Sequence, residues 1–436
     1  MKITVFKVVL LGVLAFAAFI GIFVFATHTG SNKSTNGGSV GTVVIWGVLP
    51  KVAVQNALAA VGQTNTELKD VSYVEKNPDT LSADLASAIA TGQAPDLILA
   101  SQEELQSLAK LLTPIPYATL SASTFNANFI EAGQLFTAPG GAGYYGVPFL
   151  VDPLVLFSNR SILSSDGIAK PPATWEALTG LVPTVAILTP SKQVTRGLIA
   201  LGTYSNVHNA RAILSSLFLQ TGVPISSTAN GLLSANLSGT ATNGVLPGNA
   251  VLNFYTQFAD PSKVSYSWNG SLPDSQQAFQ NGDLALYIGY ASEARFFTAA
   301  NPNLDFAVSA LPQPATATFK SVYGLVYAFM IPRGAKNPAG AYQAAALLTG
   351  PAIQTTVATA LSLVPATLTP LATAPTDPVA AIAYAEALYT KGWLSPLPAS
   401  TDTVLSGMIS NVISGRLTPD TALIAAQNAL TALLQK

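Results

Sequence analysis

Short apolar runs alternate along the chain with segments in which Val, Leu and Ala recur at helical spacing. Val43-Val44-Ile45-Trp46-Gly47 is a β-branched and aromatic run ending in glycine, the pattern of a fully buried strand. Val52 to Val61 has helical spacing, Val71 to Val74 reads as a second strand and Leu81 to Ala90 as a helix. Gly92-Gln93-Ala94-Pro95-Asp96 then forms a turn before the apolar strand Leu97 to Ala100. Strand, helix, strand, helix, strand predicts an α/β fold with a mainly parallel sheet, and ligands of such sheets bind beyond the carboxyl ends of the strands. Trp46 and Ser101-Gln102-Glu103 stand at those ends.

The alternation recurs downstream. Gly146-Val147-Pro148-Phe149 leads into the strand Leu154 to Phe157, and Ile199 to Gly222 and Asn249 to Phe258 read as mainly helical. Leu284 to Ile288, Phe306 to Ala310 and Tyr323 to Ile331 are strand-like, and Asn337-Pro338 opens a helix over Ala339 to Leu348. Pro419 to Leu434 is amphipathic, with Thr418 placed to cap it. No short-period repeat is present.

Before this pattern begins, Lys2 and Lys7 precede an uncharged stretch from Val8 to Ala26, close to the ~20 residues a helix needs to span the hydrocarbon core. The basic flank puts the N-terminus inside and the rest of the chain outside. Residues 1–27 are expected to form an uncleaved signal anchor, with a cleaved signal peptide as the alternative, because Val24-Phe25-Ala26 has the small residues a signal peptidase prefers. Residues 28–42 are Gly/Ser-rich and read as a flexible tether with an r.m.s. span of roughly 20 Å.

Composition narrows the function. The 436 residues are enough for two or three domains, and 20 Lys+Arg against 21 Asp+Glu argue against a phosphate-neutralising nucleic-acid surface. Charged residues make up 9% of the chain, where about 25% is usual, and hydrophobic ones 49%, which excludes a disordered chain. With no cysteine, disulfides, thiolate zinc sites, iron–sulfur clusters, cysteine nucleophiles and a lipid-bearing Cys are all excluded. The only histidines are His28 and His208, so a histidine metal site or a Ser-His-Asp triad would rest on His208 alone. No metal and no cofactor is expected.

Several segments stand in a familiar order. Ala86 to Asp96 (ASAIATGQAPD), Tyr145-Gly146-Val147-Pro148-Phe149 with Phe157-Ser158-Asn159-Arg160, and Pro171 to Glu176 (PPATWE) come first. Phe279 to Leu286 (FQNGDLAL), Leu311-Pro312 and Ser414 to Leu423 follow. Together they resemble the extracellular solute-binding proteins of ABC importers, family 1, the relatives of maltose-binding protein, over nearly all of residues 43–436. The departures are the missing lipid-bearing Cys, Ser158 where an aromatic is usual, and Ala, Ser or Thr at positions often charged.

The resemblance implies a two-lobe, type II periplasmic-binding-protein-like α/β fold with hinge strands, preceded by the N-terminal helix. Lobe one would comprise residues 43–150 and 325–368, and lobe two residues 151–324 and 369–436. It also implies an extracytoplasmic component of an ABC transporter, performing no reaction, that captures a small polar solute, most naturally a carbohydrate, between its lobes and delivers it to permease subunits in the membrane.

Sugars need flat apolar faces for ring C–H groups and hydrogen-bonding side chains for hydroxyls. The expected ligand-binding residues are Trp46, Ser101, Gln102, Glu103, Asp152, Trp268, Tyr290, Ser292, Glu293 and Tyr323. Asp152 falls where the maltose-binding relatives carry a sugar-binding carboxylate, whereas Asp402 falls where they stack an aromatic ring. Trp175 reads as core, and Asp96 as a turn and capping residue. Two alternatives stay open: a ligand-presenting sensor or adhesion subunit on the same fold, and an extracytoplasmic glycoside hydrolase using Asp152 and Glu293 as its carboxylate pair.

Overall fold

The computed structural model describes residues 39–229, 231–239 and 247–435. The expected N-terminal helix and most of the expected tether lie outside the described residues. The elements that carry the argument are β1 (Val43–Gly47), α1 (Lys51–Thr64), β2 (Val71–Glu75), α2 (Leu81–Ala90), β3 (Leu97–Ser101), α3 (Gln102–Leu108) and β4 (Gly146–Asn159). They continue with β5 (Val194–Ile199), α4 (Ala210–Leu219), β6 (Leu284–Tyr290), α5 (Glu293–Ala300), β7 (Phe306–Ser309) and β8 (Val322–Met330). The last are α6 (Pro338–Leu348), α7 (Pro378–Ala387), β9 (Thr390–Lys391) and α8 (Pro419–Leu434).

The chain forms two compact units. The first holds the described residues up to Val151 together with Val326–Ala374, and the second holds Asp152–Leu325 and the described residues from Pro375 onward. The chain leaves the first unit within β4, returns to it within β8 and leaves it again in the loop before α7.

In the first unit β1 lies between β2 and β3, parallel to both, with Trp46 in register with Val74 and Ile98. The sheet is mixed rather than mainly parallel, because β8 runs antiparallel to β3, pairing Tyr327 with Ser101. The chain re-enters this unit through a strand, and an antiparallel pair needs no helical crossover. β1 is not buried throughout: Val43, Ile45 and Gly47 are buried while Val44 and Trp46 are half-exposed, the alternation of a strand with one open face. β3 is buried at every residue.

Asp96 does more than cap a turn. Its Oδ2 accepts from the N–H of Val44 at 3.0 Å and its Oδ1 from that of Asn337 at 2.9 Å, joining the start of β1 to the start of α6.

In the second unit β6 pairs antiparallel with β4 and parallel with β5, and β7 joins β4 from its other side. The helix read over Ile199 to Gly222 is confined to α4; residues 200–209 are a loop, where Gly202 takes φ +98°. Trp175 is core as expected, 5% exposed, with Nε1 donating to Oε1 of Gln220 at 2.6 Å. Thr418 caps α8 by accepting from the N–H of Thr421.

Candidate functional site

The first unit's candidates follow β1 and β3. Trp46, second to last in β1, is half-exposed, and Nζ of Lys76 sits 3.8 Å from its ring centroid. Lys76 is held there by Asp84 at 3.4 Å. The negative face of an indole attracts a cation, so this face already has a partner within the unit.

Ser101 ends β3 and caps α3. Its Oγ accepts from the N–H of Glu103 at 3.1 Å, and both its N–H and its hydroxyl donate to Oε2 of Glu104 at 2.8 Å. This is a capping box, which satisfies donors at both sides of the helix start. Glu104 was missed in the sequence, although the Ser-x-x-Glu spacing directly after an apolar strand signals it. Burial pushes the Glu104 carboxyl up to about 7, Glu103 adds repulsion, and the bonds from Ser101 hold it back in part. Gln102 is fully buried and its Oε1 accepts from the N–H of Val326 at 2.7 Å, pinning the first turn of α3 to β8. Glu103 is buried beside them.

In the second unit four predicted residues, Asp152, Tyr290, Ser292 and Glu293, come together at the end of β6. Asp152, in β4 and 4% exposed, accepts from the N–H of Ser292 at 3.1 Å and from its hydroxyl at 2.6 Å. Burial pushes the Asp152 carboxyl up to about 7; Ser292 pulls it down and the charge of Glu293 pushes it further up.

Glu293 begins α5 and its side chain folds back under the strand end. Its Oε1 accepts from the N–H of Tyr290 and from Nδ2 of Asn209, both at 2.8 Å. Its Oε2 accepts from Nε2 of Gln276 at 2.9 Å and from the hydroxyl of Tyr287. Four donors match the four lone-pair positions of a carboxylate. Gly289 makes room for this, because a Cβ there would stand 2.9 Å from Oε1 of Glu293. The Tyr287 phenol is raised well above its ordinary value by burial and by Glu293.

Further polar groups follow β5, beyond the same carboxyl edge, and the sequence reading extended a helix through Tyr204, Asn206 and His208, which lie in the loop before α4. The hydroxyl of Tyr204 donates to Asp402, whose other oxygen accepts from Nη1 of Arg211 at 2.8 Å. Nδ1 of His208 lies 3.5 Å from Oδ1 of Asp274. Asn206 donates to the carbonyls of Asn269 and Leu272 at 2.9 and 3.0 Å, fixing the loop that follows Trp268.

Trp268 and Tyr323 are both buried, at 1% and 0% exposure. Nε1 of Trp268 has no hydrogen-bond partner among the described residues. The N–H of Tyr323 donates to Oγ of Ser216 at 2.7 Å. No cluster of three or more His, Asp or Glu side chains among the described residues is placed to hold a metal ion.

Two α/β units, each with polar and aromatic side chains gathered where parallel strands end, and a chain that passes between them twice within strands and once in the loop before α7, define a solute-binding protein fold. The chain belongs to the bacterial extracellular solute-binding protein family, whose model matches residues 56–384. Among solved structures it is similar to a cyclo/maltodextrin-binding protein complexed with maltotetraose, at 16% identity over 93% of this chain and 99% of that one, with a TM-score of 0.70. It is also similar to the cyclic α-maltosyl-1,6-maltose binding protein from Arthrobacter globiformis, at 17% identity over 90% and 99%, TM-score 0.73. A third is the ABC transporter solute-binding protein from Thermotoga lettingae bound with α-D-tagatose, at 20% identity over 90% and 99%, TM-score 0.67. No curated protein matches the chain by sequence.

Proposed function

We propose that the chain is the carbohydrate-binding component of an ABC importer, working outside the cytoplasm, tethered by its N-terminal helix and catalysing no reaction. The observation that carries this reading is the set of aromatic and hydrogen-bonding residues at the strand ends of a solute-binding fold, here Trp46 in one unit and Tyr290, His208 and Arg211 in the other. Half-exposed rings suit sugar C–H faces, and the neighbouring polar groups suit hydroxyls. The buried indole N–H of Trp268, without a partner among the described residues, is a donor suited to a ligand oxygen.

Within this reading Asp152, Ser292 and Glu293 shape the site rather than react. Glu293 is committed to four donors and Asp152 to Ser292, which speaks against a carboxylate pair free for glycoside hydrolysis. Ser101, Gln102, Glu103 and Tyr323 are proposed to support the ligand-facing surface in the same way. The structural relatives take maltotetraose and tagatose, and a panel of maltodextrins, mannooligosaccharides and ketohexoses tests the proposal by thermal unfolding of the purified full-length chain. A ligand present at 100 times its dissociation constant adds about 2.7 kcal/mol, a readable midpoint shift. Sugars that bind without being cleaved support the reading; no shift with any sugar refutes it.

A further inference from the structure

We infer that the second unit carries a separate pocket for an organic ammonium ion, with Glu386 as its anion and Tyr389 and Phe319 as its aromatic mouth. The cavity has a volume of about 590 Å³ and lies among Pro171–Ala173, the segment after β7, and the end of α7. It shares no residue with the strand-end groups described above, and the inference does not depend on the sugar reading.

Glu386 is 5% exposed, and among the described residues its carboxylate has a single hydrogen bond, to Oε2 from the N–H of Leu311 at 3.3 Å. Charge-assisted bonds run at about 2.7–2.9 Å, so this one long bond leaves the carboxylate with room to accept a stronger donor. Burial pushes its carboxyl up to about 7, while Lys320 pulls it down. The rim is aromatic and open: Phe319 is 46% and Tyr389 39% exposed. Lys320 already holds its Nζ 5.3 Å from the Tyr389 centroid, so this wall accepts a cation supplied by the chain itself. Pro171, Pro172 and Pro314 complete an apolar wall for a hydrocarbon tail. A single carboxylate is a poor cage for a divalent metal, which takes six or more oxygens, but it suits one ammonium group.

The test is calorimetric titration of the full-length protein with pentylammonium and with 1-pentanol, which keeps the tail and removes the charge. Besides Glu386, the titratable groups lining the cavity are Lys320, from the segment after β7, and Tyr389, after α7. Pentylammonium is expected to bind at pH 8 at least tenfold more tightly than the alcohol, and roughly tenfold more weakly at pH 6, where Glu386 is mostly protonated. Glu386→Gln should abolish the preference for the amine. Lys320→Met, at an exposed position where folding is not at stake, should tighten amine binding several-fold by removing the competing cation. No amine binding, equal binding of amine and alcohol, or indifference to both substitutions overturns the inference.

Discussion

Ser292 donates twice to Asp152, from its backbone N–H to Oδ1 at 3.1 Å and from its hydroxyl to Oδ2 at 2.6 Å. Even so, burial outweighs these bonds and the carboxyl is pushed up to about 7 from an ordinary 3.8. In the folded chain the proton therefore stays until about pH 7, whereas in the unfolded chain it leaves near pH 4. The folded state binds the extra proton in that window, so this group's stabilisation is complete below pH 4 and is lost as pH rises towards 7. Glu104 and Glu386, with the same direction of shift, act alike. Urea unfolding of wild type and Asp152→Asn across pH 4.5–7 should differ in slope by about 1.4 kcal/mol per pH unit. Parallel profiles would refute this account.

The capping box at Ser101 and Glu104 joins a strand end to a helix start, so its two side chains should act as a unit. Ser101→Ala is expected to cost about 1 kcal/mol. Glu104→Ala should cost at least as much, since it removes the acceptor of two 2.8 Å bonds. In a double-mutant cycle the pair should couple by at least about 0.5 kcal/mol. Strict additivity would mean that the reciprocal bonds contribute nothing.

The regular elements were legible where hydrophobic period and punctuation agreed. α2 runs over Leu81–Ala90 and α8 over Pro419–Leu434, as their spacing and the Thr418 cap predict. The loop of residues 200–209 was not, because apolar Ile199-Ala200-Leu201 and Ala210 onward concealed the turn made by Gly202 and Asn206. Much of the candidate site was invisible for another reason. Glu293 is completed by Asn209, Gln276 and Tyr287, brought together by strand pairing and loop packing that a single sequence does not encode locally. Asp402, noted only as a departure from the family pattern, lies with Arg211 and Tyr204 by the same long-range packing.

The cation over Trp46 gives a prediction in the direction of gain. If the indole face receives a sugar ring, Lys76 competes for it at 3.8 Å. Lys76→Met should then raise sugar affinity about two- to fivefold, the equivalent of an exposed cation–π contact of roughly 0.5–1 kcal/mol, with little change in stability. Trp46→Ala should lower affinity by more than tenfold. Titration followed by tryptophan fluorescence separates these outcomes, and unchanged affinity in both variants removes Trp46 from the binding surface.

Glu293 offers a test in which a conservative change is the damaging one. All four of its neighbours are donors: the N–H of Tyr290, Nδ2 of Asn209, Nε2 of Gln276 and the Tyr287 hydroxyl. Glu293→Gln keeps the shape but turns one acceptor oxygen into an amide NH₂, which faces two donors. Of these, the backbone N–H of Tyr290 and the side chain of Asn209 lie on one oxygen, and Gln276 with Tyr287 on the other. Tyr287 and Gln276 are able to turn to present an oxygen, so the amide should settle on their side at a cost of about 1–3 kcal/mol. Adding Gln276→Glu restores an acceptor opposite that amide and should recover part of the loss. Chemical unfolding of the two variants reads the effect directly. If Glu293→Gln is neutral, the four bonds do not hold the end of β6 in place, and the carboxylate is available for a direct role in binding.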